Sequence, residues 1–182
     1  MKATILVGSA QRGGNTDEQC QAVADALKES GFNVCVIYPF NMNIKHCDGC
    51  NKCTTSGLCH IEDDMQVIYD LFDSSDLFII STPVYFSSLS SIIKQVIDRF
   101  QCKWTSIDDP LVSKYIALIC NGGSRNPRFE NIISVARALA FGTRRVWAGE
   151  CLADSTDLTD VSRLAKEAYK FGLVLANKVL DG

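Results

Sequence analysis

The sequence predicts an α/β fold, in which a parallel sheet is covered by helices on both faces. Short apolar segments recur along the chain and alternate with stretches whose apolar residues follow helical spacing. These segments are nearly continuous in apolar character, so we expect both faces of each strand to be covered. Five such segments separated by helices indicate a doubly wound sheet, which binds ligands beyond the carboxyl ends of its strands.

The first half of the chain contains three of the predicted strands and two helices. The strands are residues 3–7, 34–38 and 77–80, and the helices are residues 15–30 and 63–74. Apolar side chains in the first helix recur at one-face spacing, and a glycine follows as a stop signal. The second helix has acidic residues in its first turn, where they suit the helix dipole.

The second half of the chain supplies the other two strands and three more helices. The strands are residues 115–120 and 145–148, and the helices are residues 88–100, 126–141 and 158–180. A helix therefore separates each strand from the next, and the connection between strands 2 and 3 also contains a long polar stretch before its helix. Such crossovers are typical of a parallel sheet.

Composition predicts an ordinary globular protein and argues against two classes of partner. With 182 residues, 47% of them hydrophobic, we expect a single domain over residues 1–182. A net charge of −3 without a run of Lys or Arg disfavours nucleic-acid binding. We find no apolar stretch of membrane-span length and no export signal, so we expect a cytoplasmic protein whose thiols stay reduced.

The segment after strand 1, residues 8–16, predicts an anion-binding loop. It leads into a helix, so backbone N–H groups and the positive end of the helix dipole face the same region. Ser9, Asn15 and Thr16 add neutral donors, and Arg12 adds charge. The Gly-Lys-Ser/Thr and Gly-x-Gly-x-x-Gly signatures are absent, which favours a phosphate monoester over a nucleotide. The alternative is a glycine-rich turn that binds nothing.

The segments after strands 3 and 4 are candidates for contacts with a planar ring. After strand 3, Pro83 stiffens the backbone beside Tyr85 and Phe86. After strand 4, Gly122 and Gly123 allow a ligand to approach the backbone closely. Either segment alone is equally consistent with an ordinary turn, but three ligand-capable loops at neighbouring strand ends favour one shared site.

A cysteine-rich insertion, residues 43–62, follows strand 2 and contains Cys47, Cys50, Cys53 and Cys59. Cys-x2-Cys-x2-Cys with a further cysteine is a spacing used for [4Fe–4S] clusters. Zinc sites more often use two separated Cys-x2-Cys pairs, and disulfides are uncommon in a reducing compartment. A connection of this length usually has a function or a ligand that orders it. Zinc and empty or redox-active thiols stay open as alternatives.

The remaining candidates have simpler interpretations. We expect His60 to be a solvent-facing loop residue and Asp63 to be a charge at a helix start. Cys102 is undecided between core packing and another role. Four other cysteines are expected to pack as small hydrophobic residues in or beside the core, namely Cys20, Cys35, Cys120 and Cys151.

At four segments the chain resembles the flavodoxin-like NAD(P)H-dependent FMN reductases, and among them the iron–sulfur flavoproteins of anaerobes. The segments are GSAQRGGNT, STPVYFSS followed by KQVIDR, CNGGSRN, and HCDGCNKCTTSGLCHIEDDM. The first is similar to the family's FMN-phosphate loop, often written G-S-P-R-x-x-G-N-T. Ala10 and Gln11 stand where the family motif has Pro and Arg, and Arg12 supplies the positive charge one position later. The resemblance covers nearly the whole chain.

The resemblance implies a five-stranded parallel sheet of order 2-1-3-4-5, non-covalently bound FMN and a [4Fe–4S] cluster. It also implies a homodimer or homotetramer that takes electrons from ferredoxin or NAD(P)H. The cluster ligands would be Cys47, Cys50, Cys53 and Cys59. The cofactor-binding residues would be Ser9, Arg12, Gly14, Asn15, Thr16, Thr82, Pro83, Val84, Tyr85, Phe86, Asn121, Gly122 and Gly123.

The leading hypothesis is a redox flavoprotein, an oxidoreductase that passes electrons between the cluster and FMN, with no side chain needed as a catalytic acid or base. The first alternative is a cluster-free NAD(P)H-dependent FMN or quinone reductase. A flavodoxin-like carrier is a second alternative, although the modest acidity argues against its charged docking face. A thiol-based redox or zinc sensor is a third.

Overall fold

The computed structural model describes residues 1–105 and 113–182, which fold around one parallel sheet. Its strand order is β2-β1-β3-β4-β5, which confirms the predicted order 2-1-3-4-5. The switch point, where the order reverses, lies between β1 and β3. The strands are β1 Lys2–Val7, β2 Asn33–Ile37, β3 Leu77–Pro83, β4 Tyr115–Asn121 and β5 Val146–Ala153.

Helices cover both faces of this sheet. They are α1 Asn15–Glu29, α2 Cys53–Ser56, α3 Met65–Ser74, α4 Ser91–Arg99, α5 Gln101–Thr105, α6 Glu130–Gly142 and α7 Val161–Asp181, with a 3-10 turn at Pro39–Asn41. None of the described helices combines the length and apolar character needed to cross a membrane.

The two faces carry separate hydrophobic cores because side chains alternate along each strand. In β3, Leu77 and Ile79 pack on the face that α1 and α7 cover. Phe78 and Ile80 point the other way and pack with side chains of α3, α4 and α6. Both sets are almost completely buried, which explains why the strands lack a polar face in the sequence.

Two predicted boundaries, at the carboxyl ends of β3 and β4, were wrong. Thr82 and Pro83 belong to β3, and Asn121 belongs to β4, whereas the sequence placed all three in loops. The ladder continues because Thr82 pairs with Cys120, and Pro83 pairs with Asn121. Proline is tolerated there because the bond to β4 is donated by the Val84 N–H, to the Asn121 carbonyl at 2.7 Å, and the pairing with β1 on the other side ends at Ser81.

The helix boundaries also differ from the prediction. The helix expected over residues 88–100 begins at Ser91, because Tyr85 and Ser88 first exchange backbone hydrogen bonds of 3.0 and 2.9 Å. The last helix begins at Val161, where the Asp160 side chain accepts a hydrogen bond from the Ser162 N–H at 2.9 Å. α6 begins at Glu130 and β5 extends to Ala153, so Cys151 lies inside the strand.

Candidate functional site

The three predicted ligand loops meet at the buried residue Asn121, at the end of β4. Its amide nitrogen donates to the Thr16 hydroxyl at 3.0 Å and to the Gln19 side-chain oxygen at 2.8 Å. Its backbone carbonyl accepts from the Val84 N–H at 2.7 Å. Asn121 thus ties the start of α1 and the segment after β3 to the end of β4, and the three segments form one rim.

The first loop leaves the amino end of α1 open to an anion. Gly14 precedes the helix in an extended conformation and no side chain caps it. The N–H groups of a first helical turn have no acceptor inside the helix, so an external acceptor is favoured there. Ser9 and Asn15 are both half-buried beside this turn, and Thr16 is buried.

Gly8 fixes the path of this loop over the sheet. A Cβ atom at this position would overlap the backbone carbonyl oxygen of Ser81 and the side chain of Ile93. The Gly8 N–H also donates to the Ser81 hydroxyl at 3.3 Å, and that hydroxyl donates to the Leu6 carbonyl at 2.8 Å. The loop therefore leaves β1 in close contact with β3, which only a glycine allows.

The charge of Arg12 lies at the outer side of the first loop. Its guanidinium carbon is 2.9 Å from the centroid of the Tyr38 ring, and the Tyr38 hydroxyl donates to Asp17 at 2.7 Å. Burial raises the pKa of Asp17, but hydrogen bonds from the Gly13 N–H and Tyr38 outweigh that effect and leave it below its ordinary value. The role of Arg12 as a phosphate ligand stays a prediction, since the structure shows it stacked on Tyr38.

An exposed aromatic turn follows β3. Tyr85 and Ser88 bond to each other through their backbones, and the two residues between them have positive φ angles, 49° at Phe86 and 60° at Ser87. Such a pair is typical of a type I′ turn, which strongly prefers Asn and Gly. Phe86 is nevertheless a fully exposed phenylalanine, at 105%, and Tyr85 is 56% exposed. Two aromatic rings are thereby presented at the rim.

A fourth loop, after β5, forms backbone hydrogen bonds with Gly122 and Gly123, the two glycines that follow β4. The sequence analysis did not predict that this loop belongs to the site. Gly122 donates to the Ala153 carbonyl at 2.8 Å and accepts from the Thr156 N–H at 3.1 Å. The Thr156 carbonyl in turn accepts from the Asn15 side chain at 3.1 Å. No motif marks Thr156, because it contributes through its backbone.

These features fit FMN, the cofactor that the resemblance implies. An uncapped helix terminus with hydroxyl and amide neighbours suits a phosphate group. Aromatic rings beside two closely packed glycines suit a flat ring system. The buried hydroxyl oxygen of Ser90, at the start of α4, also has no hydrogen-bond partner within the described residues. Contacts of the individual predicted residues with FMN stay predictions.

The four predicted cluster ligands share one cavity of about 440 Å³, beside the carboxyl end of α4. Cys47 and Cys50 are exposed, whereas Cys53 and Cys59 are half-buried. All are free thiols in the structure. The cysteine segment therefore arranges its thiols around a common space, as a multi-thiolate centre requires, and the residues present fit a [4Fe–4S] cluster.

Cys102 lies in the same cavity as a fifth thiol. It is 2% exposed, and its Sγ donates to the Arg99 carbonyl at 3.5 Å. Burial raises the pKa of the Cys102 thiol, which disfavours its thiolate. We therefore interpret it as part of the cavity wall.

A mixed set of metal-binding side chains lies at the mouth of the cavity. The ligand atoms of Asp48, Cys50 and His60 are within 4.8 Å of one another. His60 Nε2 is 2.9 Å from an Asp48 carboxylate oxygen. Hydrogen bonds from Cys50 and His60 lower the pKa of Asp48 to about 2. Carboxylate, thiolate and imidazole are zinc ligands. His60 is exposed, as predicted, but it also lines the cavity.

A buried ion pair ties both ends of the cysteine segment to α4. Arg99 contacts Asp63 at 2.6 Å, and both side chains are fully buried. Arg99 also donates to the carbonyls of Lys45 at 2.8 Å and Ile61 at 3.3 Å. The Asp63 carboxylate accepts from the N–H of Lys45 at 2.8 Å and of Met65 at 3.0 Å. The cysteine segment is therefore clamped at its base.

Asp63 lies at the start of α3, as predicted, where it accepts from the Met65 N–H, but its pairing with Arg99 was not predicted. Burial raises the pKa of Asp63, but hydrogen bonds from Arg99 and two backbone N–H groups outweigh this and lower it. The sequence did contain a signal, since Arg99 follows Ile93 and Val96 at helical spacing and so falls on the buried stripe of α4. A charged residue on such a stripe needs a buried partner.

The family model described as NADPH-dependent FMN reductase matches residues 1–149 of this chain. Several curated relatives carry the name iron–sulfur flavoprotein, and two of them illustrate the similarity. The relative from Methanosarcina thermophila is 31% identical over 133 residues, which is 73% of this chain and 69% of the relative. One from Archaeoglobus fulgidus is 34% identical over 99 residues, 54% of this chain, and the match spans only 45% of that relative's length.

Solved structures support the fold. A flavone reductase superposes with a TM-score of 0.78 at 22% identity, covering 100% of this chain and 64% of the other. An NAD(P)H:quinone oxidoreductase from Methanothermobacter marburgensis superposes with a TM-score of 0.68 at 15% identity, covering 95% of this chain and 94% of the other. At these identities the similarity concerns the shared sheet and helices.

Proposed function

This chain belongs to the NADPH-dependent FMN reductase family, and on that premise we propose that it is an FMN-dependent oxidoreductase with a [4Fe–4S] cluster in its cysteine cavity. The predicted family and oxidoreductase class agree with the family match. In this proposal, electrons pass between the cluster and FMN.

The rim around Asn121 would hold the cofactor. The amino end of α1, with Ser9, Asn15 and Thr16, would bind the phosphate group. The backbone around Val84 and the two glycines after β4 would meet the ring. Bound FMN supplies chemistry that links two-electron and one-electron transfer. The chain's own contribution is to bind and orient the ring, with Asn121 holding the loops in place.

The cluster proposal is supported by the shared cavity of Cys47, Cys50, Cys53 and Cys59. It is also supported by the names of the curated relatives, which are iron–sulfur flavoproteins. The clamp between Arg99 and Asp63 would hold the thiols together while the cluster is assembled. Because a cluster changes its charge by one unit at a time, it suits exchange with a one-electron partner.

We also propose electron donors and an oligomeric state for this protein. Reduced ferredoxin or NAD(P)H would supply electrons, and the chain would act as a homodimer or homotetramer. Exposed apolar side chains at Leu58, in the cysteine segment, and at Phe86, on the rim, are of the kind that a subunit contact covers. The cytoplasmic location stays a prediction from the sequence.

The observation that carries the proposal is the convergence of three strand-end segments on Asn121. The test is flavin, iron, sulfide and zinc analysis of protein purified without oxygen. We expect about one FMN, and about four iron and four sulfide per chain for a cubane cluster. Protein that contains no flavin and takes up no added FMN would contradict the oxidoreductase proposal. Flavin without iron would contradict the cluster alone.

A cluster-free NAD(P)H-dependent reductase is the second candidate, favoured by the mixed donors Asp48, Cys50 and His60, which suit zinc better than an iron–sulfur cluster. In that case the protein would contain stoichiometric zinc. NADPH or NADH would reduce its flavin rapidly without ferredoxin. Stoichiometric iron and sulfide with flavin reduction dependent on ferredoxin would exclude it.

A further inference from the structure

Arg99 is the most deeply buried charged residue of the described chain, at 1% exposure, and it lines the cavity that contains the four cysteines. Arg99 is the last residue of α4, and its side chain forms part of the cavity wall. A fully buried cation is unfavourable unless it is paired and all of its N–H groups are hydrogen-bonded.

One N–H donor of this guanidinium has no hydrogen-bond acceptor within the described residues. Arginine has five N–H groups and no acceptor. The two terminal nitrogens, with four N–H groups, have four acceptors: both Asp63 carboxylate oxygens and the carbonyls of Lys45 and Ile61. The remaining nitrogen, Nε, is buried and has no partner within the described residues. A buried donor without an acceptor is unfavourable, so an acceptor held in the cavity would be stabilised there.

The surroundings indicate sulfur as that acceptor, because Cys53, Cys59 and Cys102 line the same cavity as Arg99. Cysteine thiolates and cluster sulfides accept hydrogen bonds, and such bonds raise the reduction potential of an iron–sulfur centre by stabilising its reduced state.

We propose that Arg99 is a positioning residue that sets the reduction potential of the centre in the cysteine cavity, through its positive charge and an Nε–H···S hydrogen bond. The terminal nitrogens hold the base of the cysteine segment, and Nε faces the acceptor that the centre brings. Asp63 offsets part of the Arg99 charge, so the pair together determines the field at the sulfurs. This inference rests on the proposed cluster.

The test uses two variants of the one ion pair. Arg99→Gln removes the cation and leaves the Asp63 carboxylate uncompensated, so we expect the cluster's midpoint potential to fall. Asp63→Asn removes the anion and leaves the cation uncompensated, so we expect the midpoint potential to rise. The measurement is an anaerobic redox titration followed by the cluster's electron paramagnetic resonance signal, with the FMN potential as an internal reference in the same sample.

Each shift should be at least tenfold in the reduced-to-oxidised ratio, which is 59 mV for a one-electron couple. Opposite signs are the decisive feature, because a purely structural clamp would damage the centre in the same way whichever partner is lost. Arg99→Lys keeps the charge but lacks Nε–H, and its potential should lie between those of the wild type and Arg99→Gln. A potential equal to the wild type would overturn the Nε hydrogen bond.

Matched controls come from the exposed pair Arg163 and Glu167 on α7, whose nitrogen and oxygen are 3.1 Å apart. Arg163→Gln and Glu167→Gln should leave the cluster potential unchanged.

If Arg99→Gln fails to retain iron, the sign of the Asp63→Asn shift decides: an unchanged or lower potential overturns the inference. Wild-type protein without iron and sulfide would overturn the cluster proposal itself, whereas iron-loaded variants with unshifted potentials would overturn only the role of Arg99.

Discussion

The side-chain amide of Asn121 donates to the Thr16 hydroxyl across 3.0 Å, although 105 residues separate the two. One residue ends β4, and the other lies in the first turn of α1. The bond therefore joins the loop expected to bind phosphate to the segment expected to contact the ring. The binding rim depends on this contact being made in the folded chain.

Replacing Asn121 with Ala should destabilise the protein and weaken its binding of FMN. Thr16 and Gln19 would each lose a buried partner, so we expect the free energy of unfolding to fall by about 1–3 kcal/mol. Urea unfolding and FMN fluorescence titration measure the two effects. Asn41→Ala, at an exposed position, is the control and should change neither. Wild-type FMN affinity in Asn121→Ala would show that the rim does not need this contact.

Gly8→Ala should cost far more stability than Gly14→Ala in the same loop. The new Cβ at position 8 would overlap a backbone oxygen of β3, which cannot move aside, and overpacking of this kind costs about 1–3 kcal/mol. At position 14, φ is −85° and the nearest atoms are 3.3 Å away on the exposed side chain of Gln11, which can rotate. Thermal unfolding followed by circular dichroism compares the two. Equal effects would contradict the close passage of the loop over β3.

Asp63→Asn should lower stability in a pH-dependent way. The pKa of Asp63 is depressed in the folded protein, so its contribution is complete above the unfolded value of about 3.9 and is lost as the pH falls through the folded value. We expect a loss of about 3 kcal/mol at pH 7, which shrinks below about pH 4. Urea unfolding at several pH values measures it.

The control for this pH dependence is Asp25→Asn, which breaks an exposed pair with Lys28. Such pairs contribute about 0–1 kcal/mol, so that variant should change little at any pH. A constant difference between Asp63→Asn and the wild type from pH 7 to pH 3 would show that the carboxylate charge is not what stabilises the clamp.

Cys50→Ala should abolish stoichiometric iron and sulfide while leaving FMN bound, because the cavity loses one thiolate and the rim around Asn121 is untouched. Elemental analysis and flavin absorbance on oxygen-free protein provide the measurement. Cys35→Ala, in β2 and away from the cavity lining, should retain both cofactors. Iron at the wild-type level in Cys50→Ala would remove Cys50 from the ligand set.

The double variant Phe86→Asn/Ser87→Gly should be more stable than the wild type but bind FMN less tightly. Both residues have positive φ, which costs a residue other than Gly, Asn or Asp about 1–2 kcal/mol, and Asn-Gly suits this turn. We expect a gain of about 1 kcal/mol in urea unfolding. Phe40→Asn, at another exposed phenylalanine, should not stabilise. A stabilised variant with unchanged flavin affinity would show that the Phe86 ring makes no contact with the cofactor.

Much of the sheet was predictable because its signal is local. The apolar runs around Ile5, Ile79 and Ala117 mark strands that are covered on both faces, and each lies in the predicted strand. The boundaries at Thr82 and Asn121 were not predictable, because polar residues remain in a strand when a neighbouring strand pairs with them. The role of Thr156 had no signal at all, because its contacts with Gly122 and Asn15 are made by backbone atoms.

The sequence by itself determined the order of strands and helices, the family, and the set of thiols, because these depend on residue types and on spacing along the chain. Only the tertiary structure decided that Arg99 and Asp63, 36 residues apart, clamp the base of the cysteine segment. It also decided that Asn121 joins three loops. A buried polar group must find its partner among whatever groups folding brings within reach, and no local pattern specifies that partner.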